Sequence, residues 1–374
     1  MLHPLNPPDR QCEDDLFSLI EWQHKILVYA RDHAQFQLNT FRQFMGDDFT
    51  DWFEDSRTNG QRDQKKVFNN FQQNLNALAQ CALPQKQMVL DDFEHDQNFY
   101  FQLNAPDFIF AFSPQISLAH EKAKVCLNAF YEFLTWSFPG ALTASHCDFH
   151  RQDIIQSYLD QNPILQSVCP CCDNSWPEPS RANRTPYTLE HFFHKEEHAS
   201  ICLHPYNLVP MCSVCNGRRG NKEMLSPDEI TELTINQIFH PLERPVRNYA
   251  VLEFRSQRLE PDIINFVNSP TRIDDWQPAI AAYEAVYEIP SRWKMNWSAV
   301  AQTANNAIYH ALLGVQTPIS KIQFSLLIER IEAKLMQDYG RYQYPAARWL
   351  AWAKANYLDQ LYSAHVESRN LASD

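Results

Sequence analysis

Residues 169–222 decide how the chain is read. They open with CPCC (169–172), run through TLEHFFHK (188–195) and HPYNLVPMC (204–212), and close with SVCNGRRGNK (213–222). Two Cys-x-x-Cys pairs, Cys169 with Cys172 and Cys212 with Cys215, bracket a Glu190-His191 dipeptide and Asn207. Four thiolates spaced this way match the tetrahedral ligand set of a structural Zn²⁺, one pair per knuckle. Such a site is closed, so it holds the segment together and does no chemistry. A module this short has too small a core to fold without that staple. Cys171 sits between two ligands, and the two-residue spacing leaves it out.

The acidic-His pair, the central Asn207 in an NL-type strand and Asn216 at a helix start together resemble the HNH family of metal-dependent nucleases, in its zinc-stapled branch. The resemblance covers about residues 169–222. It implies the ββα-metal, treble-clef-like fold, a short hairpin followed by a helix. It also implies His191 as general base, Glu190 and Asn216 as ligands of a catalytic Mg²⁺ or Mn²⁺, and Asn207 as the residue that ties the hairpin arms and orients the imidazole. The chemistry is coherent. A histidine titrating near neutral pH can activate water, and a divalent cation stabilises charge at phosphorus and on the leaving oxygen. Two protein oxygens supplemented by waters suit Mg²⁺ or Mn²⁺.

Two positions depart from the family pattern: Glu190 where Asp is frequent, and His194 where Pro is common. Strand alternation sets His194 opposite His191, which makes it the poorer base. The same rule sends Glu190 and His191 to opposite faces, so the strand must end or kink for both to serve one site. Lys195 occupies a position where many relatives carry Lys and is expected to touch a phosphate. Arg218 and Lys222 share a helix face at i, i+4, with Arg219 one position round, and all three are expected to contact the backbone of a substrate.

Outward from this segment the signals are broader. The chain has 374 residues, 44% hydrophobic and 21% charged, which suits two or three domains with substantial cores. We read a mostly helical N-terminal domain over 1–165 that binds substrate or partner. The nuclease module spans 166–225, and a mostly helical C-terminal region covers 226–374, with a short strand near 246–254. The expected class is therefore mainly α with a small α+β insert. Amphipathic spacing marks helices over 10–80, 118–136 and from 273 onward, including the stripe Phe324, Leu327, Ile328, Ile331 and Leu335. The runs NFYFQL (98–103) and DFIFAF (107–112) read as strands whose aromatics are core rather than base-stacking platforms. Ser226-Pro227-Asp228-Glu229 reads as a capped helix start.

Charge and cysteine usage bound the function. The formal net charge is −13, which excludes a protein that coats nucleic acid non-specifically. Within 169–222, however, Arg181, Arg184, Lys195, Arg218, Arg219 and Lys222 outnumber Asp173, Glu178, Glu190, Glu196 and Glu197. A locally basic site on an acidic body is expected to bind DNA weakly alone and to need a protein partner that delivers or triggers it. No apolar run is long enough to span a bilayer, and MLHPLNPPDR has no secretory pattern, so the expected location is cytoplasmic, with no membrane partner. The isolated Cys12, Cys81, Cys126, Cys147 and Cys202 read as small core residues. The leading expectation is a DNA-cutting endonuclease, by analogy the nuclease effector of a bacterial restriction or anti-phage system. The alternatives are a catalytically inactive zinc-stabilised scaffold module and an RNA-cleaving variant.

Overall fold

Helices dominate because apolar residues recur at helical spacing along most of the chain. A computed structural model describes residues 2–174, 187–220, 222–227, 232–313, 315, 317, 319–338 and 340–367. Among these the N-terminal part folds as α1 (Arg10–Asp32), α2 (Leu38–Met45), α3 (Asp47–Thr58), α4 (Arg62–Ala79), α5 (Leu83–Asp96), α6 (Leu118–Phe133) and α7 (Arg151–Gln161). The middle supplies β1 (Tyr187–His191), β2 (Leu208–Cys212) and α8 (Ser213–Arg219). The remainder forms β3 (Ala250–Arg255), β4 (Ile263–Asn268), α9 (Gln277–Tyr287), α10 (Ile289–Met295), α11 (Trp297–Leu313), α12 (Lys321–Gln337) and α13 (Gln343–Tyr362).

Local chemistry places the helix ends. Asp9 caps α1 by accepting from the Cys12 N–H, Ser117 caps α6 through His120, and Ser320 with Gln323 forms a capping box on α12. Gly46, with φ of +89°, turns the chain between α2 and α3 in a conformation that side chains resist. The N-terminal helices close over an aromatic core. Phe41, Phe49, Phe53, Phe68, Phe71, Phe130, Phe133 and Phe138 are fully buried, and Phe68 stacks on Phe133 at 4.2 Å. Each such ring contributes on the order of 2–3 kcal/mol by burial.

Both sheets are two-stranded and antiparallel. In the first, Tyr187 pairs with Cys212 and His191 with Leu208. In the second, Ala250 pairs with Asn268 and Arg255 with Ile263. The strand expected near 246–254 is therefore β3, shifted towards 250–255 and preceded by a 3₁₀ turn at Val246–Asn248. The strands expected from NFYFQL and DFIFAF do not form. Residues 99–102 make a 3₁₀ turn after α5, and Asp96 accepts from the Ala111 and Phe112 N–H groups, so the second run is pinned to a carboxylate. Phe99, Phe108 and Phe112 are buried as core residues, while Phe101 is 80% exposed. The expected helix start at 226–229 lies partly outside the described residues, and residues 175–186 lie outside them entirely. The α12 stripe buries Phe324, Ile328, Ile331 and Leu335 against α13 and α11, with Leu327 half-buried at its edge.

Buried apolar side chains from Leu2 to Val366 form one continuous cluster, so the middle segment is embedded between the flanking helical regions. No helix among the described residues is long and apolar enough to cross a membrane. Of the isolated cysteines, Cys12, Cys126 and Cys202 are buried as expected, Cys81 is half-buried, and Cys147 is exposed, because it lies in the turn before α7.

Candidate functional site

The four cysteines meet. Their sulfurs all lie within 4.8 Å of one another, with Cys169 Sγ to Cys215 Sγ and Cys172 Sγ to Cys212 Sγ both 3.9 Å. Four thiolates around a zinc ion at about 2.3 Å sit about 3.8 Å apart. The cluster therefore fits a metal such as zinc. Backbone N–H groups support the sulfurs, Cys212 N to Cys169 Sγ and Cys215 N to Cys212 Sγ, each 3.4 Å. Arg292 of α10 donates from Nη1 to Cys215 Sγ at 3.1 Å and is 8% exposed, so a buried cation offsets the charge of the thiolates. Cys171 stays outside the group. Its carbonyl takes the Tyr283 hydroxyl at 2.8 Å.

The first knuckle is also a junction. Trp293 Nε1 donates to the Cys172 carbonyl at 3.0 Å, and Tyr342 N to the Asp173 carbonyl at 2.7 Å. The Asp173 carboxylate takes Tyr344 N at 2.8 Å and meets His3 Nε2 at 2.9 Å. His3, Tyr342 and Tyr344, far apart in sequence, thus converge on Asp173.

Beyond the metal cluster, β1 ends at His191, β2 begins just after Asn207, and α8 follows β2 directly with Cys212 at its N-terminal cap. Asn207 is fully buried. Its Oδ1 accepts from Phe193 N at 2.6 Å, and its Nδ2 donates to the carbonyls of Phe193 and Ile201 at 3.2 and 3.1 Å. It therefore fastens the exit of β1 to the segment that leads into β2.

His191 is 4% exposed, with Nε2 3.0 Å from the Cys202 carbonyl and its ring 4.3 Å from that of Tyr131 on α6. A carbonyl only accepts, so Nε2 carries the hydrogen and Nδ1 keeps its lone pair. Nδ1 has no partner among the described residues. Burial, reinforced by Lys195 and Arg219, holds the His191 pKa well below 6.5, so the ring is neutral at neutral pH. Along β1 burial alternates, with His191 buried and Glu190 half-buried. Arg219 Nη1 meets Glu190 Oε1 at 3.3 Å, and burial raises the carboxyl above the ordinary range despite that neighbour. Asn216 is half-buried and lies three residues before Arg219 on α8, hence on the face that turns towards β1.

The expected substrate contacts divide by burial. Arg219 is fully buried, with Nη2 donating to the Phe192 carbonyl at 2.6 Å, so it is a strut between α8 and β1 and presents no surface to a substrate. Arg218 and Lys222 reach one carboxylate, Glu288, at 3.1 and 3.5 Å. Glu288 sits between α9 and α10 with φ of +54°. Lys195 Nζ meets Glu132 Oε1 at 2.7 Å. His194 lies beyond β1, with its N–H bonded to Glu223 at 2.9 Å. Arg181, Arg184 and Glu178 fall outside the described residues. Tyr131, Glu132, Arg151, Glu288 and Arg292 all touch this region, yet they lie outside 169–222, and no local pattern in the sequence singles them out.

The donor set for a second metal is thin. Among the described residues the four-cysteine group is the one cluster of three or more His, Cys, Asp or Glu side chains able to hold an ion. Glu190 and Asn216 could supply two oxygens to a largely hydrated cation, a manner that suits Mg²⁺. No protein-family model matches this chain, and no curated protein or solved structure shows a detectable match to it. The reading of the site therefore rests on its own geometry.

Proposed function

We propose that the chain is a metal-dependent endonuclease of the HNH kind that hydrolyses DNA phosphodiester bonds, with His191 as general base and Zn²⁺ as a structural ion on Cys169, Cys172, Cys212 and Cys215. The observation that carries this reading is His191 itself. It is a neutral imidazole at the end of β1, anchored through Nε2 on the Cys202 carbonyl and left with an unprotonated Nδ1. A base held in one tautomer can take a proton from water without first being deprotonated itself.

The remaining residues take subsidiary parts in this reading. Asn207 fixes the exit of β1 and with it the imidazole's direction. Glu190 and Asn216 are the residues that would hold a Mg²⁺ or Mn²⁺ ion, which would supply Lewis-acid stabilisation of charge at the phosphate. Arg219 keeps Glu190 in place, and Lys195, Arg218 and Lys222 are the cations from which a DNA backbone takes its contacts. Because those cations are engaged by carboxylates on a chain of net charge −13, DNA must arrive by competition or by delivery from a protein partner. A restriction or anti-phage role is the setting that suits such restraint.

A second reading has its own observation. The pairing of Glu190 with buried Arg219, together with the 4% exposure of His191, suits a zinc-stabilised scaffold in which both residues are structural. Cleavage of supercoiled plasmid and of a matched RNA, with Mg²⁺ or Mn²⁺ and with His191→Ala as control, separates these readings. Cutting that needs both the cation and His191 supports the nuclease, and the preferred polymer names the substrate. A folded, zinc-loaded protein that cuts neither supports the scaffold.

A further inference from the structure

The surroundings of His191 include three side chains from outside residues 169–222: Tyr131, Glu132 and Arg151. Arg151, the first residue of α7, lays its guanidinium over the Tyr131 ring with Cζ 3.9 Å from the centroid. Its Nε and Nη2 donate to the Tyr131 carbonyl at 3.1 and 2.8 Å, and Nη2 also reaches Glu132 Oε2 at 2.9 Å. The other oxygen of Glu132 takes Lys195 Nζ at 2.7 Å. Lys195 Nζ is itself 5.0 Å from the centre of the Tyr131 ring, the ring that packs on His191. One carboxylate therefore bridges two cations, and both cations share a tyrosine with the candidate base.

Two oxygens of one anion, each taking a different cationic donor, is also the way a protein grips a phosphodiester. We infer that Arg151 and Lys195 form a subsite for a backbone phosphate of nucleic acid beside His191, and that Glu132 occupies this subsite until the polymer displaces it. The inference rests on the nuclease reading above and names where its substrate is held.

Three features of the cluster support exchange. The side chains of Arg151, Glu132 and Lys195 are 29%, 37% and 24% exposed, so a ligand reaches them without unfolding. Arg151 is fixed by the Tyr131 carbonyl and ring independently of Glu132, so its charge stays in place when the carboxylate leaves. Glu132 lies in the last turn of α6, where the helix dipole repels an anion. Lys195 and Arg151 nonetheless outweigh burial and keep its carboxyl below the ordinary range, so it competes as a full negative charge. A single phosphate has little advantage over such a competitor. A polymer that contributes neighbouring phosphates has more, which makes an internal carboxylate a filter for polynucleotide over small anions.

The test is binding of labelled duplex DNA to the full-length, zinc-loaded protein without added Mg²⁺ or Mn²⁺, as a function of salt. Glu132→Gln keeps the side chain's shape and an acceptor oxygen while removing the charge. Glu21→Gln removes the same charge from an exposed site on α1. Glu132→Gln is expected to tighten binding about tenfold and to steepen the slope of log K against log salt by about 0.9 for each additional phosphate that the protein neutralises. Glu21→Gln is expected to change neither, and Glu132→Gln combined with Arg151→Gln should return binding to the level of the natural chain or below. Equal behaviour of Glu132→Gln and Glu21→Gln overturns the subsite. So does displacement of the DNA by inorganic phosphate at the concentration of the DNA's own phosphates, which would make the subsite one for a free anion. Plasmid cleavage read alongside keeps the two claims apart. Tighter binding without cleavage sinks the nuclease reading alone, and His191-dependent cleavage with no effect of Glu132→Gln sinks the subsite alone.

Discussion

At the scale of single residues, neighbours in sequence have opposite parts. Arg218 is half exposed and pairs with Glu288 at the surface, whereas Arg219 is enclosed and holds Glu190 and the Phe192 carbonyl. Truncating a surface partner costs less than about 1 kcal/mol, and stranding a buried carboxylate costs about 3–5 kcal/mol. Arg219→Met is therefore expected to lower the denaturant midpoint severely and Arg218→Ala hardly at all, and equal losses would contradict this division. Asn207→Ala removes three buried hydrogen bonds, so a loss of about 2–4 kcal/mol is expected, read by urea unfolding of the zinc-loaded protein. Much of this is legible in the sequence. The Cys-x-x-Cys spacing picks out the four sulfurs that meet and leaves out Cys171, and Asn207, also singled out in sequence, is buried with its side chain bonded to Phe193 and Ile201. The burial of Arg219 is not legible, because RR presents two like side chains and only the packing of α8 on β1 decides which one turns inward.

Among the elements, β1, β2 and α8 are too short to stand alone, and a metal on the cysteine cluster would tie them together. The cluster is gripped in turn by α9 and α10 through Tyr283, Arg292 and Trp293. Removing the metal with a strong chelator, or substituting Cys215→Ser, is expected to raise amide exchange in β1, β2 and α8 and also in α9 and α10. Loosening confined to the first three elements would show that the C-terminal helices do not depend on the metal. The long helices are readable from their apolar periodicity, as α12 shows. The aromatic runs at 98–103 and 107–112 mimic strands, but the first is a 3₁₀ turn and the second is held by Ala111 and Phe112 N–H groups on the buried Asp96, a tertiary contact that local pattern does not contain.

For the whole molecule, the dominant electrostatic fact is an acidic chain that keeps several histidines buried and neutral. Burial lowers the pKa values of His191, His198 and His240, and takes His204 down to about 3. Below the ordinary histidine value of 6.5 the unfolded chain binds protons that the folded chain refuses, so stability falls as pH drops through 6.5 and towards 3. Asp96, raised to about 6 by burial, works in the opposite sense between 3.8 and 6, and so do Glu13, Glu190 and Glu284, whose carboxyls burial also raises, so the histidines show most clearly just below pH 6.5. Urea midpoints on either side of pH 6.5 should therefore decline on the acid side, and a flat profile would contradict the buried neutral histidines. The acidic body and the locally basic segment are both visible in composition. The pairing of that basicity with Glu132 and Glu288 is not, since those carboxylates come from α6 and the junction of α9 with α10, far away in sequence. The most direct test of the central claim is cleavage of supercoiled plasmid by the zinc-loaded protein with Mg²⁺ or Mn²⁺, comparing the natural chain with His191→Ala and His194→Ala. Nicking or linearisation that His191→Ala abolishes and His194→Ala retains is expected. Cutting that survives His191→Ala, or is lost only with His194→Ala, would contradict it.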